Sequence, residues 1–584
     1  MVMTIRVMSA GRGYEYLLRS VAVGDGDRDL GTPLTRYYTA EGTPPGTWLG
    51  SGLAGLGSDQ AGQVRDGEVV TEEHLARLLG SGLDPMTGTK LGAAYPALQP
   101  PARRIAARVA RLDASLDDAT RAQQVAQITA QERARPARTP VAGFDLTFSP
   151  PKSLSALWGV ADAGTQALVA QAHHAAMRDT LGLLERTVAA TRVGHGGVAS
   201  MPVRGIIATA FDHYDTRAGD PQLHTHVVVS NKVQGADGKW RTLDSRTLHR
   251  ATVALSASYN AFLADHATRL LGVSWVPVER RSSQFTGWEI DGVPTELTEA
   301  FSRRTLGVDG GEGIEDAARR LIAEYRAKHG RSPSQVVEAK LRQQATLETR
   351  PEKELHSLAE LTADWRQRAT AVLGKDATTW ARELLAHLPA DAILRADDLP
   401  LDQVHDVAAV VLMEVGNRRA TWGRWNLHAE AARQTMGLRF VTTDDREAVI
   451  RGVVERAESE SVRLTPEYDR LVPGRFVNPR TARTGSSARM PSPTPAGTCS
   501  TPKPGSSSTP PTPPAPGSRC ASCIGTHPGR SGACAWKMTR PPRSSPSPPR
   551  AVSSTCSWGR PAPGRPRPCA PCTAPGPPPT ARTP

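Results

Sequence analysis

The sequence predicts an α+β fold: a central antiparallel sheet flanked by helices, then a helical region, then a disordered tail. Three observations carry that expectation. Short runs rich in β-branched or aromatic residues, at 4–8, 144–148, 204–211 and 227–229, read as strands. Long Ala-rich stretches at 165–190 and 246–271 read as helices. From Pro491 onward lie 26 of the 48 prolines and all seven cysteines without one acidic residue, a composition that cannot build a packed core.

At 584 residues the chain has room for two or three domains. Its formal charge of +13 invites a nucleic-acid reading, but 16 of the 71 lysines and arginines follow Asp469, the last acidic residue. Residues 1–469 therefore carry 55 basic against 58 acidic side chains. Any DNA groove must come from local charge placement. The first 498 residues hold no cysteine, which excludes a disulfide framework and any thiolate nucleophile or metal ligand there. No run of about 18 apolar residues occurs, and Met1-Val-Met-Thr-Ile-Arg6 lacks a signal-peptide core. A soluble, cytoplasmic protein without membrane insertion is expected.

The first strand, Thr4–Met8, precedes Ser9-Ala-Gly-Arg-Gly-Tyr14-Glu-Tyr16-Leu-Leu18, where glycines followed by apolar residues suggest a helix start. Tyr37 and Tyr38 stand about twenty residues on, ahead of a loop from Glu41 to Trp48. Residues 61–140 read as polar helices, and the basic face of the stretch 101–111 is read as solvated. Asp145 lies on the next strand. The turn Ser149-Pro-Pro-Lys-Ser153 then leads into an apolar helix from Leu154 to Trp158. Lys152 and Ser153 at that helix start suit a phosphate oxygen; the plainer alternative is a cap and a surface charge.

The densest chemistry lies between His213 and Asn231. His224 and His226 sit two apart at the head of Val227-Val-Val229, so a strand turns both imidazoles to one face. The turn at Gly219-Asp-Pro221 lets the preceding strand pair back and bring His213 beside them. Three imidazoles on adjacent strand ends make an open-sided divalent-metal site, with positions left for a substrate oxygen. An acid such as Asp145 beside them can fix a ring's tautomer or take a proton from tyrosine. A metal-activated phosphodiester needs an oxygen nucleophile, and a tyrosine gives a stable phosphotyrosyl intermediate.

After the histidines, Gly235-Ala-Asp-Gly238 reads as a hairpin turn, and late strands lie near 271–278 and 287–292. Four helical patterns follow, at 314–329, 334–345, 358–373 and 378–388.

His213, His224 and His226 with Asn231, the segment Gly143-Phe-Asp-Leu-Thr-Phe-Ser-Pro-Pro-Lys-Ser-Leu-Ser155, and the N-terminal tyrosines resemble the motifs of MobF (TrwC/TraI-like) conjugative relaxases, in the HUH endonuclease group. The resemblance covers residues 1–310 and continues more weakly to about 480. It implies an HUH relaxase-type sheet, with Tyr16 or Tyr14 as first nucleophile, Tyr37 or Tyr38 in a second transfer, and Asp145 orienting the cluster. It further implies a conjugative DNA relaxase: a site-specific single-strand endonuclease and strand transferase that nicks one strand of an origin of transfer. The cut leaves a 5′-phosphotyrosyl DNA and a free 3′-OH, later rejoined. The implied metal is Mg²⁺ or Mn²⁺, although three histidines alone suggest zinc, a stand-in in vitro. Single-stranded DNA, a type IV secretion coupling protein and relaxosome accessory proteins are the implied partners. The alternatives are a rolling-circle replication initiator and a catalytically inactive DNA-binding remnant.

The expected domains are a relaxase at 1–310, a helical region at 311–480 resembling the start of a helicase portion, and a Pro/Arg/Ser-rich tail at 481–584. No Gly-Lys-Ser or Gly-Lys-Thr occurs, so no phosphate-cradling motor loop and no helicase activity is expected. The tail reads as an out-of-frame translation of GC-rich DNA.

Overall fold

Alternating side chains on five segments build the sheet expected from the sequence. In the computed structural model its strands are β1 (Val2–Ser9), β2 (Thr47–Leu49), β3 (Val141–Ser149), β4 (Ala208–Asp215) and β5 (Pro221–Ser230). They lie in the order β1-β3-β5-β4-β2, with every neighbouring pair antiparallel. The structure describes residues 2–18, 44–59, 62–96, 99–135, 139–279, 285–307, 311–350, 356–387, 392–464, 477–478 and 483–484. The first of the two units into which the chain divides, Met1–Thr501, contains all of them. Tyr37, Tyr38 and the expected tail, apart from 483–484, lie outside the described residues.

Strand periodicity gives the sheet two unlike faces. On the back, Phe144, Leu146, Phe148, Leu223, Val227 and Val229 are buried with residues of α2 (Lys152–Val160), α3 (Ala163–Thr187) and α4 (Ser245–Leu271). Asp162 and Asp244 cap the two long helices, each accepting a backbone N–H from the first turn. On the front, Met8, Trp48, Phe211 and Val228 join Leu17, Leu75 and Leu78 in a second core. The strands come close at Gly143, where an added Cβ would stand 2.5 Å from the Val229 carbonyl oxygen.

Two local readings change. β4 runs from Ala208 through His213 to Asp215, so His213 belongs to the strand and does not follow it. The expected loop at 41–48 ends in β2, which pairs with β4 at the edge of the sheet. The late strands, Trp275–Val278 and Gly287–Ile290, form a separate two-stranded sheet. The basic helix Pro101–Val109 lies against the helix Asp118–Ala134, and Arg104 and Arg108 bind Glu132 at 2.7 and 3.1 Å.

The back core does not stop at residue 310. From α5 (Leu358–Leu373), Leu358, Leu361, Trp365 and Ala369 enter it. Helices Leu401–Arg418, Arg424–Gln434 and Thr443–Ser459 share another core around Trp422 and Phe440. Arg446 reaches α4 from there and grips Asp265 through two hydrogen bonds of 2.7 and 2.8 Å, both side chains buried. Among the described residues no helix is long and apolar enough to cross a membrane.

Candidate metal and nucleophile site

In the β4–β5 register His213 stands opposite His224, and Phe211 opposite His226. Period-two geometry therefore puts all three imidazoles on the front face. One ring nitrogen from each lies within 4.8 Å of the others. Their ring centroids are 5.0, 5.2 and 5.4 Å apart. His213 is buried while His224 and His226 are part-exposed, so the cluster opens on one side.

Hydrogen bonds set the tautomers. His224 donates from Nδ1 to the Gln222 carbonyl at 2.9 Å, and His226 donates from Nδ1 to the Asp145 carboxylate at 2.9 and 3.0 Å. Both acceptors lack a proton, so the ring nitrogens must supply it, and each Nε2 keeps the lone pair a metal ligand needs. Three converging imidazoles, two of them so oriented, suit a divalent cation.

Asp145 also holds a phenol. The Tyr16 hydroxyl donates to Asp145 Oδ2 at 2.5 Å, and its ring meets His226 edge-on with centroids 6.1 Å apart. Burial first, and then the Asp145 charge, push the Tyr16 hydroxyl well above its ordinary value, so it remains a phenol. Its place is fixed by the short helix α1 (Glu15–Leu18), whose Leu17 is fully buried in the front core. Asp145 thus ties a nucleophile candidate to a ligand candidate.

Of the two neighbouring tyrosines only Tyr16 meets this cluster. Tyr14 packs into the front core with Leu17 and Leu75, and burial raises its hydroxyl. Lys152 and Ser153, expected at a phosphate, are turned into the protein. Lys152 donates to the Pro221 carbonyl at 3.0 Å, and burial pulls its ammonium down to about 8. Ser153 is fully buried, donates to Glu289 at 2.7 Å and accepts from the Ile290 amide at 2.9 Å. It pins α2 to the late hairpin, and its hydroxyl is not presented to solvent.

The turn between the histidine strands is held from outside. Asp220, fully buried, accepts from Arg303 at 2.9 Å and from Arg368 at 2.7 Å, while Trp365 donates to the Gly219 carbonyl at 2.8 Å. Sequence reasoning missed this clamp, because its parts lie far apart along the chain. It also missed a polar network on the back face, formed by His173, His174, Asp212, Thr225 and Tyr259. Asp212 and Thr225 each neighbour a histidine of the site, and alternation alone turns them to the opposite face.

A five-stranded antiparallel sheet with such a cluster is the kind of sheet that the resemblance to relaxases implies. The chain belongs to the TrwC relaxase family, whose model matches residues 10–372. The multifunctional conjugation protein TraI of Escherichia coli is 33% identical over 186 residues, which make up 30% of this chain and 10% of that protein. TraI of Escherichia coli strain K12 is 32% identical over 186 residues, with the same coverage of 30% and 10%. The chain thus matches a tenth of the length of these curated relatives. Similar solved structures include the conjugative relaxase TrwC in complex with oriT DNA in a metal-bound form, with TM-score 0.40 and 23% identity, covering 64% of this chain and 99% of that one. Another is TrwC complexed with a 27-mer DNA comprising the recognition hairpin and the cleavage site, with TM-score 0.40 and 23% identity over the same 64% and 99%.

Proposed function

We propose that the chain is a DNA strand transferase that nicks one strand at an origin of transfer, with Tyr16 as the first nucleophile. The observation that carries this reading is Asp145, whose Oδ2 accepts from Tyr16 at 2.5 Å and from His226 at 2.9 Å.

Tyr16 Oη attacks the scissile phosphorus, and the bond from phosphorus to the 3′ oxygen breaks. The phenolic proton passes to Asp145 as the new P–O bond forms, which avoids a free phenolate that burial disfavours. The departing oxygen takes up a proton and becomes a 3′-OH, while the 5′ phosphate stays on the tyrosine. A divalent cation held by His213, His224 and His226 would polarise the scissile phosphate and neutralise charge building on its oxygens. Mg²⁺ or Mn²⁺ is the proposed ion, on the family resemblance, with Zn²⁺ as a substitute in vitro. Asp145 meanwhile holds the His226 ring in one orientation and one tautomer. Rejoining reverses the exchange when a 3′-OH attacks the phosphotyrosine. The resemblance gives Tyr37 or Tyr38 a second transfer. Single-stranded DNA is the proposed substrate, and a secretion coupling protein and accessory proteins the proposed partners.

The test is cleavage of single-stranded origin oligonucleotides by the full chain and by its Tyr16→Phe and Tyr14→Phe variants. Loss of the nick in Tyr16→Phe alone is expected. A parent chain that binds these oligonucleotides but never cuts them would instead identify a DNA-binding remnant.

A further inference from the structure

We infer that Thr225, Asp212, His173, His174 and Tyr259 form a positioning network behind the histidine strands, which fixes the spacing of the three imidazoles. The inference rests on the metal-site reading given above and adds residues to it.

Asp212 and Thr225 face each other across β4 and β5, one register step from the His213–His224 pair. Their side chains point to the back of the sheet while the imidazoles point to the front. Thr225 also lies between His224 and His226 in sequence. Any movement of these two residues therefore moves all three ligands.

The back-face groups are locked in one arrangement. Thr225 donates to Asp212 Oδ1 at 2.5 Å, and His174 Nε2 lies 3.0 Å from the same oxygen. His173 Nε2 is 2.8 Å from the Thr225 hydroxyl, and His173 Nδ1 is 2.8 Å from the Tyr259 hydroxyl. Thr225 donates its hydroxyl proton to Asp212. Having spent its proton, Thr225 must accept from His173 Nε2–H, and His173 Nδ1 must then accept from Tyr259. One acid thus fixes the direction of every bond in the chain. Burial pushes His173 down to about 3, which keeps it neutral, as this chain requires.

His173, Thr225 and Tyr259 are fully buried, amid Phe148, Leu223, Val227 and Phe262. An apolar set of the same volume could fill this space without loss of stability. Polar groups add direction: each bond tolerates only a few tenths of an ångström. Metal–ligand distances are held to about 0.2 Å, so the strand backbone needs that definition.

The experiment uses the full chain and Co²⁺ as a spectroscopic probe, with binding titrated through its visible bands and melting followed in EDTA. In the parent, His224→Ala must abolish the tetrahedral signal; if the parent itself shows none, the metal-site reading fails and not this inference. With the parent signal present, Thr225→Val should weaken Co²⁺ about tenfold or more, the range for residues that orient ligands. Thr225→Ser, which keeps the hydroxyl, should restore affinity to within about twofold. Tyr259→Phe, at the far end of the network and the milder change, should weaken Co²⁺ by a factor of about three, and it carries the test should Thr225→Val not fold. If folded Thr225→Val or Tyr259→Phe melts lower in EDTA yet binds Co²⁺ with parental affinity and spectrum, the network is only structural. Equal loss in Thr225→Ser and Thr225→Val would also overturn the inference.

Discussion

Asp145 is the residue on which the proposed chemistry turns, because it serves Tyr16 and His226 at once. Asp145→Asn keeps the shape but removes the proton acceptor. It should slow single-turnover cleavage by about 10²–10⁴, the usual worth of a positioned base. Oligonucleotide affinity, measured by fluorescence anisotropy, should stay within a few-fold of the parent. Lys152 offers a check on stability. Its ammonium is held down at about 8 by burial, against an ordinary value near 10.4, so the folded chain releases that proton more readily than the unfolded chain. The unfolded state binds more protons in this window, so stability rises with pH from about 8 to about 10.4, by at most about 3 kcal/mol. In Lys152→Met that slope should vanish; urea midpoints read at both ends of the window would show it, and parallel curves for the two proteins would contradict it. The histidine cluster could be read from the sequence, since alternation on a strand leaves little freedom. Tyr14 and Tyr16 could not be separated: both follow the same glycines, and only packing shows that one enters the front core while the other reaches Asp145. Lys152 and Ser153 misled for the opposite reason. Polar residues at a helix start suggest an anion, but Pro221 and Glu289 approach from distant segments and occupy both.

At the scale of elements, the hairpin of β4 and β5 is the frame of the site, and β3 is the strand that brings Asp145 to it. The separation of β3 and β5 is set in part by Gly143, where a Cβ has no room beside the Val229 carbonyl. Gly143→Ala should destabilise the fold by about 1–3 kcal/mol, the usual cost of overpacking, and a melting curve would show it. The turn that closes the hairpin uses Gly219 at φ 67°, a left-handed backbone that suits glycine. The long helices and the histidine strands followed from local periodicity, and they stand within a few residues of expectation. β2 was hidden: it is three residues long and follows Pro44-Pro45-Gly46, so nothing local separates it from a loop. Only its pairing with β4 makes it a strand.

For the molecule as a whole, residues after 310 bear on the histidine hairpin. Trp365 sits in the core behind the sheet, and Arg368 joins Arg303 on Asp220 in the turn between the ligand strands. We propose that the folding unit of the relaxase reaches through α5. A chain ending at 310 should melt several degrees below one ending at 464, and its 213–226 amides should exchange faster; indistinguishable values would contradict the proposal. A core shared across residue 310 leaves no trace in the sequence, because Trp365 reads the same in any helix. The most direct measurement of the central claim is to trap the full chain on a single-stranded origin oligonucleotide and sequence the adduct peptide Gly13–Arg19 by tandem mass spectrometry. The account predicts a phosphodiester-linked nucleotide on Tyr16. An adduct on Tyr14, or a trapped chain with none on Tyr16, would contradict it.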